Sequence, residues 1–230
     1  MAWLGLVKEV IETFYYISGI ILVAGVVIGL KQITLVKEQL SLVKSEAELV
    51  KKDFNIRNKR ASIEKGIEYL NWFATDFIPQ SNDYNRSLSG KEIKNYQGMN
   101  IRKKGFVFDN EVSRGDNLVV ISIDEKVNAG ALNLMNQLEF FSAALTSGLA
   151  DEELVFNPLA LVFCEFIERH YEVYCDIRND GKDTMYSHTI ELYDIWKQRL
   201  ESIELDKKQK EIDYQKSKIK PLSIKYLGNE

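Results

Sequence analysis

The chain has 230 residues, room for one ordinary domain and an appendage. Its 45% hydrophobic and 28% charged residues supply enough apolar material for a core, which excludes a disordered chain. A net charge of −4 argues against a general nucleic-acid binder, which carries a basic surface, and leaves lipid and protein as the expected partner classes.

Residues 1–12 read as a short arm whose Trp3, Leu4, Leu6, Val7 and Val10 form an apolar face suited to an outer membrane interface. Residues 13–30, TFYYISGIILVAGVVIGL, carry no charge and span about 27 Å as a helix, close to the hydrocarbon thickness of a bilayer. Tyr15 and Tyr16 suit an aromatic belt at one boundary, and Lys31 closes the other. A cleaved signal peptide fits poorly, because no small-residue cleavage pattern precedes Lys31-Gln32. Lys8, Glu9 and Glu12 lie before the span and Lys31, Lys37, Lys44, Lys51 and Lys52 after it, so the positive-inside rule places the C-terminal side in the cytoplasm and the N-terminus outside. Gly25 and Gly29 form a GxxxG pair that lets two membrane helices approach closely.

Residues 31–78 predict a long amphipathic, coiled-coil-like helix. Ile33, Val36, Leu40, Val43, Ala47, Val50 and Phe54 repeat at 3, 4, 3, 4, 3, 4. Leu35, Leu42, Leu49, Ile56 and Ile63 make a second row at every seventh position, so the apolar face is wider than a dimer seam. The expectation is self-association through the first row; the alternative is a helix folded back on its own chain.

Pro79 reads as the helix stop, and 79–123 as an irregular insertion of loops and short helices, with Phe106–Phe108 and Leu118–Ile123 as short strands. Residues 124–216 read as a helical bundle. Its first helix carries Val127, Ala131, Leu134, Leu138, Phe141 and Leu145, and Gly148 follows as a C-terminal cap. Asp151-Glu152-Glu153 opens a helix expected to run to Asn179, with acids at its positive end. After the turn at Asn179-Asp180-Gly181, a last helix is expected from Asp183 to Lys216, and 217–230 is a charged tail.

No GxxxxGK phosphate loop, HExxH or GxSxG occurs, so no catalytic residue, cofactor or metal site is expected. Arg178 and His188 flank a turn as in some helical ribonucleases, but nine residues intervene where that motif has four to six. Cys164 and Cys175 read as buried thiols of a reducing compartment, too far apart along one helix to bridge. Asn133, Glu139 and Arg178 are candidates for a polar pocket, or for a packing and capping network. Tyr171, Tyr174 and Tyr186 read as core.

Leu132, Asn133, Glu139, Gly148 and Asp151-Glu152-Glu153-Leu154, with Arg178 after the aromatic run, resemble the DUF4760 family of bacterial proteins. The segment Arg60–Glu64, after the heptads, is similar to an RAxIE-like segment of that family. The resemblance implies a single membrane span, a helical cytoplasmic domain and a bacterial inner-membrane setting, and no reaction. The leading expectation for function is a membrane-anchored oligomeric scaffold, sensor or receptor-like protein, with no enzymatic activity and with a cytoplasmic protein partner. A membrane-permeabilising effector, as in anti-phage (antiviral) defence, is the second reading. An enzyme with an unrecognised site in 80–180 is the third.

Overall fold

The computed structural model describes residues 2–97, 101, 105–110, 112–179, 181–182 and 184–219. It divides into two units, Met1–Asn58 and Lys59–Glu230. The fold is mainly helical, without a strand among the described residues.

The first unit is the greater part of one helix, α1, which runs Ala2–Trp72. No proline interrupts it, and a Cβ at Gly5, Gly19, Gly25 or Gly29 would meet nothing within 4 Å. It is the one helix among the described residues long and apolar enough to cross a membrane, and none of its most apolar stretch is buried. Trp3 and Val7 of the arm are exposed, while the side chains of Leu4, Leu6 and Val10 lie outside the described residues.

The second unit starts with the end of α1. Phe73–Phe77 then forms a π-turn, in which the Ile78 N–H donates to the Phe73 carbonyl five residues back. α2 follows over Ile78–Ser87, with Pro79 in its first turn. Pro79 is therefore not a stop, contrary to the sequence expectation. A proline ring collides with the carbonyl four residues earlier in a regular helix, and the widened turn relieves that collision. The same turn sends Phe73 and Phe77 into the core together, with ring centroids 4.6 Å apart.

The described residues between 88 and 116 are largely irregular, yet Leu88, Tyr96, Ile101, Phe106 and Val112 are all buried. α3 spans Asn117–Asn128, capped by Asp116, whose carboxylate accepts from the Leu118 N–H at 2.9 Å. So Leu118–Ile123 is helix, not strand, and Phe106–Phe108 is irregular. The β-branched run misled because β-propensity yields to packing. Val119, Ser122, Ile123 and Lys126 are the buried positions, a helical spacing. Tyr84, Leu88, Tyr96, Ile101, Phe106, Val112, Val119 and Ile123 thus join the core from this segment.

Gly130, at φ +103, breaks the chain between α3 and α4 (Ala131–Thr146). Gly148, at φ +75, ends α4 as expected, a backbone region costly for other residues. α5 spans Glu152–Arg169, with the Asp151 carboxylate accepting from the Leu154 N–H. The helix expected to continue to Asn179 breaks at His170, and α6 covers Tyr171–Arg178. The His170 imidazole stacks on Phe166 at 4.0 Å and donates from Nδ1 to the Phe166 carbonyl at 2.6 Å. α7 runs Ser187–Lys218; Asp180, named for the turn before it, Asp183, the expected helix start, and tail residues 220–230 lie outside the described residues.

α7 packs against α4 and α5. At their centre Trp196 is fully buried between Phe141, Phe156 and Phe163, at 6.1, 5.8 and 5.0 Å between ring centroids. Its indole N–H donates to Glu152 at 2.6 Å, which satisfies the one polar group that burial would strand. The end of α1 joins this unit through Asp151, whose N–H donates to the Ser62 carbonyl at 2.9 Å and whose carboxylate pairs with Lys59 at 2.8 Å. Gly66 makes that approach possible, since a Cβ there would lie 3.2 Å from Leu154 Cδ2.

Candidate functional site

The largest feature not consumed by folding is the surface of α1. Ile33, Val36, Leu40, Val43, Val50 and Phe54 are each 60–69% exposed, and Ala47 is exposed beside them. Leu35, Leu42, Leu49 and Ile56 of the second row are exposed as well. Ile63, at the end of that row, is half-buried in the second unit. Monomeric soluble proteins rarely expose continuous apolar surface on this scale. Gly25 and Gly29 present open helix surface, for a Cβ at either position would meet nothing within 4 Å.

The polar candidates do not converge on one pocket. Glu139, on α4, reaches the start of α7. Its carboxylate accepts from the Thr189 N–H at 2.9 Å, the Thr189 hydroxyl at 2.7 Å and the His188 N–H at 3.2 Å. These are N–H groups that a helix start leaves without intrahelical partners, and no side chain of α7's own N-cap satisfies them. Arg178 reaches the same segment and donates to the Met185 carbonyl at 2.5 Å. Between the two anchors sits Tyr186, at φ +56, an uncommon conformation for a bulky residue. Its hydroxyl donates to Asn136 at 2.8 Å and its ring meets Tyr174 edge-on. Glu139 and Arg178 therefore fasten a strained turn. Asn133 lies elsewhere, in a shallow groove of about 300 Å³ with Gln80, Asp83, Tyr84, Ser87 and Gly130.

Sequence reasoning missed a buried polar centre between α3, α5 and α6. The Lys126 ammonium, 2% exposed, pairs with the fully buried Glu172 at 2.5 Å. It also donates to the carbonyls of Lys94 at 3.1 Å and Arg169 at 2.5 Å. The Ser122 hydroxyl donates to the same Glu172 oxygen at 2.7 Å. Burial lowers the Lys126 pKa, and Glu172 opposes that shift by charge and hydrogen bond. Next to it His170 is buried and neutral: the Phe166 carbonyl can only accept, so Nδ1 carries the proton and Nε2 accepts from the Tyr84 hydroxyl at 2.7 Å. Burial, then the Lys126 charge, pushes the His170 pKa down to about 3. The one sequence signal was the i, i+4 spacing of Ser122, in the run read as strand, and Lys126, in the segment read as helix.

Lys126 and Glu172 are enclosed and paired through Glu172 Oε1, while the other carboxylate oxygen, Oε2, is buried without a hydrogen-bond partner. Cys164 and Cys175 are buried and unpaired, and burial pushes both thiols up to about 12, away from a reactive thiolate. Among the described residues no three His, Cys, Asp or Glu side chains are grouped to hold a metal. A second groove, about 330 Å³, is lined by Lys65, Glu68, Tyr69, Trp72, Gln137 and Phe140, with the Phe140 ring 76% exposed.

No family model, no curated protein and no solved structure matches the chain.

Proposed function

We propose that this chain is a single-pass membrane protein that self-associates and presents a non-enzymatic helical domain in the cytoplasm as a scaffold or sensor. The observation that carries the reading is α1, whose apolar residues are exposed from the uncharged 13–30 stretch through the heptads at 33–54. Two solvents for two stretches explain that exposure: lipid for the first, and neighbouring protein for the second. The lysines at 31, 37, 44, 51 and 52 favour a cytoplasmic position for everything after the span. The resemblance to DUF4760 accords with a bacterial inner membrane. The bundle supports a non-enzymatic role through the use it makes of its polar groups: Glu139, Arg178 and Lys126–Glu172 hold turns and helices.

Extraction and protease protection test the anchor. The full chain, expressed in bacteria, is expected to stay with membranes through an alkaline carbonate wash and to yield to detergent. Protease added to inverted vesicles should remove the C-terminal domain, and protease added to spheroplasts should leave it intact. Release by carbonate would refute the span, and the opposite protection pattern would refute the orientation.

A further inference from the structure

The heptad face of α1 carries a charge arrangement that specifies how copies meet. With Ile33, Leu40, Ala47 and Phe54 as the a positions and Val36, Val43 and Val50 as d, the flanking e positions are Lys37, Lys44 and Lys51, and the g positions are Gln39, Glu46 and Asp53. All six flanking side chains are exposed on a continuous helix. In a parallel in-register coiled coil, a g residue meets the e′ residue five positions on in the neighbouring chain. The pairs are then Gln39–Lys44′, Glu46–Lys51′ and Asp53–Asn58′, none of them like-charged. In an antiparallel pairing e faces e′ and g faces g′, which sets lysine against lysine and Glu46 or Asp53 against acids. Like charges at such contacts repel, so the antiparallel form is selected against.

The a and d residues bear on the number of copies. Parallel dimers favour β-branched residues at a and leucine at d, whereas leucine at a with a β-branched residue at d favours higher order. Here d is valine three times and a includes Leu40. The second row at Leu35, Leu42, Leu49 and Ile56 gives each helix apolar surface beyond a two-helix seam.

We infer that α1 assembles with further copies of this chain as a parallel, in-register bundle of three or four helices over residues 33–54, with Glu46 of one copy beside Lys51 of the next. This deepens the self-association reading proposed above and rests on it. Glu46 and Lys51 are five apart in sequence, on different sides of their own helix, so a coupling between them reports a contact between copies.

The test uses the full chain in mild detergent. Its mass is expected to be three or four protomers. Val43→Cys, at d, should form a disulfide with its own copy in a neighbour under mild oxidation, and Ser41→Cys, on the opposite face, should not; native Cys164 and Cys175 are buried and stay silent. Glu46→Lys alone and Lys51→Glu alone should each weaken association about two- to fivefold, and the two variants co-expressed should associate with each other in preference to themselves. A monomer under all these conditions overturns both this inference and the self-association reading. An oligomer of two, one that cross-links at 41 as readily as at 43, or one in which the mixed charge variants gain nothing, overturns the geometry while leaving self-association standing.

Discussion

Lys126 of α3 and Glu172 of α6 form a buried ion pair at 2.5 Å, and Ser122 donates to the same carboxylate oxygen. Two charges in the interior attract strongly but forfeit hydration, so the net worth of the pair is small while the cost of splitting it is large. Lys126→Met should cost about 3–5 kcal/mol, because Glu172 is left buried and uncompensated. Lys126→Met with Glu172→Leu should recover most of that loss. Urea unfolding of the two variants beside the parent chain checks the order; equal losses in both would mean that the pair does not act as a unit.

Glu139 has a different task. It supplies from α4 the cap that α7 lacks, so its removal strands two backbone N–H groups and the Thr189 hydroxyl at a turn already strained at Tyr186. Glu139→Ala should destabilise the bundle by about 2 kcal/mol. Hydrogen exchange at residues 185–190 should rise more than elsewhere. An unchanged exchange pattern there would show that the carboxylate is not what holds the turn.

The pH dependence of stability follows from His170. Its imidazole is held neutral by burial and titrates near 3 in the folded chain, against 6.5 when unfolded. As the pH falls below about 6.5 the unfolded chain takes up this proton and the folded chain does not. His170 thus leaves stability intact above pH 6.5 and removes it progressively between 6.5 and 3, by about 1.4 kcal/mol per pH unit. His170→Gln should flatten this slope between pH 6.5 and 5 while lowering stability at pH 7. A parent chain equally stable at pH 7 and 5 would contradict the buried neutral state.

How far the sequence displays this architecture depends on the range of the force that decides each part. The cap at Asp151 and the glycine at 148 are local, and both stand where the residues put them. The heptads are regular enough to read without a partner. The strand reading of Leu118–Ile123 failed because four of its six residues are β-branched, while contact with α4 and α6 decides which face is buried. The break at His170 arises from an imidazole bonding back to Phe166 and across to Tyr84, 86 positions away in sequence. Lys126 was invisible as a buried charge for the same reason, since its carboxylate lies 46 positions on. Asn133, Glu139 and Arg178 read as candidates for a polar pocket or a packing and capping network; Glu139 and Arg178 reach the start of α7, and Asn133 lies in a separate groove, a placement set by tertiary structure.

Gly25 and Gly29 give a test confined to the proposed span. Leucine at both positions keeps the segment apolar, so carbonate resistance should be unchanged. Close helix approach through these positions would be blocked, and cross-linked oligomer in native membranes should fall about two- to tenfold. If the yield stays the same, association is set by the heptads alone.

The heptad face and the bundle core should separate cleanly in one experiment. Leu40 and Val43 are exposed within the chain, so Leu40→Asp with Val43→Asp removes no intrachain packing, and such surface changes usually alter stability by less than about 0.5 kcal/mol each. The second unit should then melt at the parent temperature while the chain becomes monomeric in detergent. Phe141→Ala should do the reverse. That ring is fully buried against Tyr69, Phe73, Phe163 and Trp196, and its loss should cost about 3–5 kcal/mol. Association of copies whose bundle still folds at low temperature should be retained, because the heptads belong to the other unit. Should the aspartate pair lower the melting temperature as much as Phe141→Ala, the face would be packing on its own chain, and the self-association reading would fall with it.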